Sequence, residues 1–446
     1  MNFDQRLQNV SILGAAGKMG SGIALLLAAE MTKVKNLPEN KGTKYRLNLI
    51  DVNDDALDEL WAYLKAQLTK IGEKTTIILR NLYKDREDLV ENFDVIPQFV
   101  DDALSVIRVN TDLNMAKDSK VVFEAVIENK DLKVDLLKKL DNLCAKDTLY
   151  LTNTSSIPIH ILNEEANLDG RIIGFHFYNP PVVQRLAELI SCEKTIPELK
   201  EFSSELAKRL RKVIVPANDI AGFIGNGHFL RDGLFAISEA KKLAKDFSLP
   251  GGIYIMDKIS RDLLVRPMGI FQLIDYVGVD VYQCISDTVD SYIEGENLKE
   301  ELLKRMVDKK VLGGQRADGS QKDGFLKYEK GRPAGVYDID KGEYKMFDPD
   351  GWTGELDKKI GDYPQGFYPW RKLLMDPKKN KKLSEFFKNL KSLDTLGAKL
   401  ALAYLKNSKQ IGQRLVDSKV ANSADDVNKV LLNGFYHLYG PINNYI

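Results

Sequence analysis

Apolar positions first fall in short unbroken runs. Residues 9–14 (NVSILG) are apolar and β-branched up to a glycine, which predicts a buried strand. Residues 17–29 follow as a helix with small residues on its first turn. Beyond a polar loop at 37–44, YRLNLID predicts a second strand ending at Asp51. Leu57, Leu60, Leu64 and Leu68 then recur at helical spacing behind Asn53 and Asp54, which read as caps. Further strands are expected at 106–109, 120–125, 148–152, 172–176 and 187–191, with a helix at 133–143. Strands alternating with helices argue for a mostly parallel sheet covered on both faces.

The pattern changes after 213–216. From Phe223 the apolar spacing is helical for some sixty residues. Residues 313–370 are instead rich in Gly, Asp, Lys and aromatics, and read as an ordered, loop-rich connector. Helical spacing returns from Ser384. The expected architecture is α/β: an N-terminal Rossmann-type, mostly parallel sheet domain at 1–216, followed by all-α C-terminal units. A helical domain is expected at 217–312, the connector at 313–383, and a degenerate second helical unit at 384–446. The faint likeness of RPMGIFQLIDY (266–276) to LYGPINNYI (438–446) motivates that last reading.

Composition narrows the function classes. The 446 residues are 44% hydrophobic and 29% charged, which is globular and, at this length, implies more than one domain. Lys+Arg and Asp+Glu are both 64, so no broad basic surface is on offer and a nucleic-acid partner is not expected. Three scattered cysteines support neither a disulfide framework nor a zinc site, and no metal is expected. No run has the length of a membrane span and the N-terminus lacks a signal-peptide pattern. A soluble cytoplasmic protein without membrane insertion is the expectation.

Two stretches carry candidate chemistry. In NVSILGAAGKMG, a strand runs into Gly14, Gly17 and Gly20 and then a helix. That order presents backbone N–H groups and a helix N-terminus to a pyrophosphate, although it also suits an ordinary tight turn. The spacing G-x-x-G-x-x-G is one residue wider than the usual fingerprint. Asp51, closing the second strand, is the residue type that takes both ribose hydroxyls of NAD; it also reads as a helix cap. Of four histidines, His176 stands out in GFHFYNPPVVQRLAELI, at the end of a predicted strand. The chain turns at Asn179-Pro180-Pro181 and returns with Glu188. A carboxylate there can hold one imidazole nitrogen and leave the other to exchange a proton; equally, Glu188 is a charged residue at a strand end. Asn153-Thr154-Ser155-Ser156 follows another strand at the same sheet edge, and also reads as a hydroxyl-rich turn. Asn226 in GFIGNG opens the helical part, where a cap is its simpler role.

Taken together, GAAGKMGSGIA, FEAVIEN, NTSSIP, GFHFYNP with LAELI, GFIGN and RPMGIFQLIDYVGVD resemble the L-3-hydroxyacyl-CoA dehydrogenase family, including 3-hydroxybutyryl-CoA dehydrogenases, over residues 9–285. The resemblance implies NAD-dependent, reversible oxidation of a 3-hydroxyacyl-CoA in fatty acid metabolism and β-oxidation. It implies His176 as acid/base, Glu188 as its orienting carboxylate, and Ser155 and Asn226 on the substrate oxygen. Gly14, Ala15, Gly17, Lys18, Met19, Gly20, Asp51, Glu128, Lys133 and Asn179 fall at NAD-contacting positions. Lys70 and Lys74 fall on the helix where the family meets CoA. QKDGFLKY (321–328) looks like the family's connector, and the remaining length leaves no room for a hydratase domain. Short members dimerise through the helical domain, so this chain is expected to be a homodimer or a monomer with an internal pseudo-dimer, in which 384–446 packs on 223–312. Related alternatives are an NAD-binding protein without turnover, as in the lambda-crystallins, and a dehydrogenase of a free hydroxy acid such as gulonate.

Overall fold

Eight strands form one sheet, whose central members are largely apolar, as strands covered on both faces must be, while the edge strands β3 and β8 are less so. They are β1 (Asn9–Leu13), β2 (Arg46–Ile50), β3 (Ile107–Asn110), β4 (Val121–Glu124), β5 (Leu149–Thr152), β6 (Ile172–Phe177), β7 (Leu186–Ser191) and β8 (Val213–Asn218). The computed structural model describes residues 1–316 and 319–446. The strand order is β3-β2-β1-β4-β5-β6-β7-β8. All neighbours are parallel except β6 and β7, which form an antiparallel hairpin. Every residue of β4, β5 and β6 is buried.

The fold class read from the sequence holds, with differences in detail. The first long helix runs over Lys18–Lys35, past the expected end at Ala29, and Pro38–Asn40 adds a 3-10 turn. Helix, turn and loop together fill the stretch between Gly20 and Asp51, which is longer than the roughly 20 residues usual between such a turn and its acid. β8 was not expected as a strand. Its run VIVPAN carries Pro216, and it lies at the sheet edge, where a residue without an N–H is tolerated.

Chain contacts divide the molecule into Met1–Asp219 and Ile220–Ile446. The second unit is mainly helical. Its longest helix, Gly225–Asp262, is broken at Ser248, where φ is 67° two residues before Pro250. The stretch read as a loop-rich connector holds a three-stranded antiparallel sheet, with β9 (Leu326–Glu329), β10 (Arg332–Asp338) and β11 (Glu343–Met346), and a helix at Trp352–Ile360. Ala317 and Asp318, inside that stretch, lie outside the described residues. Asp275 anchors the stretch by accepting from Phe325 N (2.6 Å), Leu326 N (2.8 Å) and Tyr328 Oη (3.0 Å).

Within this unit the helix Leu396–Asp417 packs on Gly225–Asp262 around a buried polar cluster. Arg266 donates to Asp232 (2.6 Å) and Ser408 (3.2 Å), and Tyr404 Oη donates to Asp232 (3.0 Å). The two segments that look alike in sequence differ in form. One leads into the helix Ile270–Val277, whereas 438–446 is irregular. No described helix is long and apolar enough to cross a membrane.

Candidate active site

The glycine turn is built by close backbone approach. Gly14 has φ +70°, and a Cβ there would lie 2.6 Å from the Ala125 carbonyl oxygen. A Cβ on Gly20 would lie 2.0 Å from the Gly14 carbonyl oxygen and 2.8 Å from Ala15 Cα. The extra residue of the widened pattern is absorbed inside the turn. Gly17 N donates to Gly14 O (3.1 Å), and Gly17 is the cap from which the helix starts at Lys18. Ala15 is buried and donates to Ile50 O (3.2 Å), Met19 is half-buried, and Lys18 is exposed. Asp51 Oδ2 accepts from Ala16 N at 3.0 Å, so the acid at the end of β2 sits directly on the turn. An anion-accepting helix start beside a ribose-type carboxylate fits a dinucleotide. Gly20→Ala is expected to force the turn open, at a cost of about 1–3 kcal/mol for overpacking. A lowered melting temperature and at least about tenfold weaker NADH binding, by fluorescence titration, would report it.

The β6–β7 hairpin register pairs His176 directly with Glu188. His176 Nδ1 lies 2.9 Å from Glu188 Oε2, with the imidazole buried and the carboxylate fully so. Cross-strand partners share a face, which is why positions twelve apart meet. Asn179 lies in the turn beyond β6. A Cβ on Gly22, one turn into the Lys18–Lys35 helix, would touch Pro181 Cδ at 2.8 Å, so this turn is seated against the helix that begins at the glycines. Lys212 holds the same turn by donating to the carbonyls of Pro181 and of Gln184 (2.6 Å). Burial pushes its ammonium down to about 8.

The strand ends beside the hairpin carry a charged cluster. Lys133, buried on the helix Lys130–Leu143, pairs with Glu124 at 2.7 Å and Glu128 at 3.3 Å. Glu128 Oε1 gathers the serine turn, accepting from Thr154 Oγ1 (2.7 Å), Ser155 N (2.9 Å), Ser156 N (3.0 Å) and Ser156 Oγ (2.8 Å). Burial raises the Glu128 carboxyl, but Lys133 and these donors outweigh it and leave it below the usual range. Burial likewise opposes the charge on Lys133, and Glu124 with Glu128 raises its ammonium nonetheless. Glu124 Oε2 also accepts from Thr152 Oγ1 (2.6 Å), and Asn153 Oδ1 accepts from Phe177 N (2.9 Å). The serine turn is thus tied to the strand that bears His176. Glu124 is not marked as a site residue by the sequence, and Asn153, Thr154 and Ser156 read there only as neighbours of Ser155 in a hydroxyl-rich turn. The acid–acid–lysine order over positions 124, 128 and 133 was the available signal.

The other histidines are accounted for by structure. His160 Nδ1 lies 2.8 Å from Asp219 and is exposed, whereas in the second unit His228 is buried and His437 half-buried. Burial pushes His228 down to about 4. Asn226 is half-buried and is the second residue of the helix Gly225–Asp262. Lys70 and Lys74 are exposed on Asp54–Lys74, with Asn53 as its cap. Among the described residues, no group of three or more His, Cys, Asp or Glu could hold a metal.

A doubly wound sheet with a glycine turn and a following acid fits a dinucleotide-binding domain, and the family matches make the class an NAD-dependent oxidoreductase. The family described as 3-hydroxyacyl-CoA dehydrogenase matches here twice, its NAD binding domain at residues 9–220 and its C-terminal domain at 252–328. A probable 3-hydroxybutyryl-CoA dehydrogenase of Deinococcus radiodurans is 30% identical over 70% of this chain and 98% of its own. The chain belongs to the 3-hydroxyacyl-CoA dehydrogenase family. It is also 28% identical to a peroxisomal fatty acid beta-oxidation multifunctional protein of Oryza sativa over 73% of this chain, and spans only 39% of that protein's length. In fold, the chain is similar over 98% of its length to 90% of a 3-hydroxybutyryl-CoA dehydrogenase from Escherichia coli K12, with a TM-score of 0.64 at 21% identity.

Proposed function

We propose that this chain interconverts (S)-3-hydroxyacyl-CoA and 3-ketoacyl-CoA, with His176 as the catalytic acid/base. The observation that carries this reading is the 2.9 Å contact between His176 Nδ1 and Glu188 Oε2, which fixes the ring so that proton exchange with the 3-hydroxyl would fall to Nε2. Glu188 is a positioning residue that fixes the ring and balances its charge. Ser155, held by Glu128, and Asn226 supply hydrogen bonds to the substrate oxygen. Gly14 to Gly20, Asp51, Glu128, Lys133 and Asn179 would hold NAD, which when bound supplies the hydride acceptor. Lys70 and Lys74, one helical turn apart, offer cations to the phosphates of CoA.

Protein mixed with NADH and acetoacetyl-CoA should consume the absorbance of the reduced cofactor. NADH binding without consumption would overturn the reading in favour of a non-catalytic relative. Asp51 gives a separate check on the cofactor. Asp51→Ser removes the carboxylate that accepts ribose hydroxyls and repels a 2′-phosphate. A hydrogen bond to a charged group is worth about 1.5–3 kcal/mol, so KM for NADH should rise at least about tenfold. Preference over NADPH should shrink in parallel, as steady-state kinetics with both cofactors will read.

A further inference from the structure

The turn after β6 carries a group that the acid–base reading leaves unused. Tyr178 Oη donates to Glu188 Oε2 at 2.8 Å, and this is the same oxygen that meets His176 Nδ1. The phenol ring also lies against the imidazole, with centroids 4.9 Å apart and planes inclined by 39°. Two donors therefore converge on one carboxylate oxygen. A donor to an ionised carboxylate stabilises its charge and weakens its pull on a neighbouring cation.

We propose that Tyr178 is a positioning residue for the reaction, which sets the proton affinity of His176 by sharing Glu188 Oε2 with it. The inference rests on the acid–base reading of His176. Burial and the Glu188 charge push the Tyr178 phenol well above its ordinary value, so the hydroxyl remains a donor at working pH. The ionisable groups around the pair come from several elements. Glu188 is on β7, and its register partner on β8 is the apolar Val215. Lys212, before β8, lies over the ring of Phe177, which alternation places on the opposite sheet face from His176. The Glu124–Lys133–Glu128 cluster is linked to β6 through Asn153.

Tyr178→Phe deletes one oxygen and keeps the ring. In full-length protein labelled at histidine carbons, the His176 signal is assigned by its loss in His176→Gln and followed by NMR against pH. With the shared donor gone, Glu188 holds the imidazolium more strongly, and the His176 titration midpoint should rise by about half a pH unit. The acid limb of the kcat profile for acetoacetyl-CoA reduction should move upward with it. A residue that merely filled space would move neither. An unchanged or lowered midpoint in Tyr178→Phe overturns the proposal. Full turnover by His176→Gln would instead defeat the acid–base reading while leaving the NMR titration to judge the coupling on its own.

Discussion

Replacing His176 by glutamine should lower turnover of acetoacetyl-CoA by about 10²–10⁴-fold, the range that positioned acid–base catalysis supplies. Glutamine has nearly the bulk of histidine and can still donate to Glu188, so the hairpin keeps its register. It cannot exchange a proton at neutral pH. The glycine turn and Asp51 are contacted by other residues, so NADH affinity should stay within about twofold. Stopped-flow absorbance for turnover and fluorescence titration for binding separate the two. A variant that binds NADH normally and still turns over at the wild-type rate would remove His176 from the chemistry.

The second large effect concerns stability. Lys133→Met leaves Glu124, with 1% of its side chain exposed, and Glu128 facing each other without their cation. Removing one partner of a buried ionic group typically costs about 3–5 kcal/mol. The sign against pH follows from the two shifts. Glu128 is held below its ordinary value, so its contribution is present above the unfolded carboxylate range and fades as pH falls. Lys133 is held above its ordinary value, so its contribution persists below the unfolded lysine range and fades only in strong alkali. Without Lys133, burial raises the Glu128 carboxyl unopposed by a cation, so the difference in urea-unfolding free energy between wild type and variant should be largest at neutral to alkaline pH and shrink as pH falls toward the acid range. A difference below about 1 kcal/mol at pH 7 would show that the cluster is not the keystone of this sheet edge.

Much of the sheet was legible because buried parallel strands are written as apolar runs ending in glycine or an acid. β1 with its glycines and β2 with Asp51 are examples. β8 was not, since Pro216 interrupts its pattern and an edge strand needs fewer apolar positions. β9 to β11 escaped for a related reason. Residues such as Lys327, Arg332 and Lys345 intersperse half-buried aromatics, and the anchor, Asp275, lies some fifty residues away. The His176–Glu188 pair was readable from strand, turn and strand. Tyr178 carries no such signal, since an aromatic beside a proline turn has a packing role as its simplest reading. The part played by Glu124 was hidden by its place inside an apolar strand end, where its partners Thr152 and Lys133 come from different elements.

The seam between Gly225–Asp262 and Leu396–Asp417 bears on how the longer chain is organised. Tyr404 and Ser408 complete the shell of Asp232, Arg266 and His228, so the last fifty residues form an inner wall of the helical unit and not an annex. A fragment trimmed to the stretch shared with the family's C-terminal domain would keep Arg266 but lose Asp232, Tyr404 and Ser408, leaving the guanidinium without these partners. Substitutions on the buried face of 396–417 therefore act on interior chemistry, however far that segment lies in sequence from the dehydrogenase motifs.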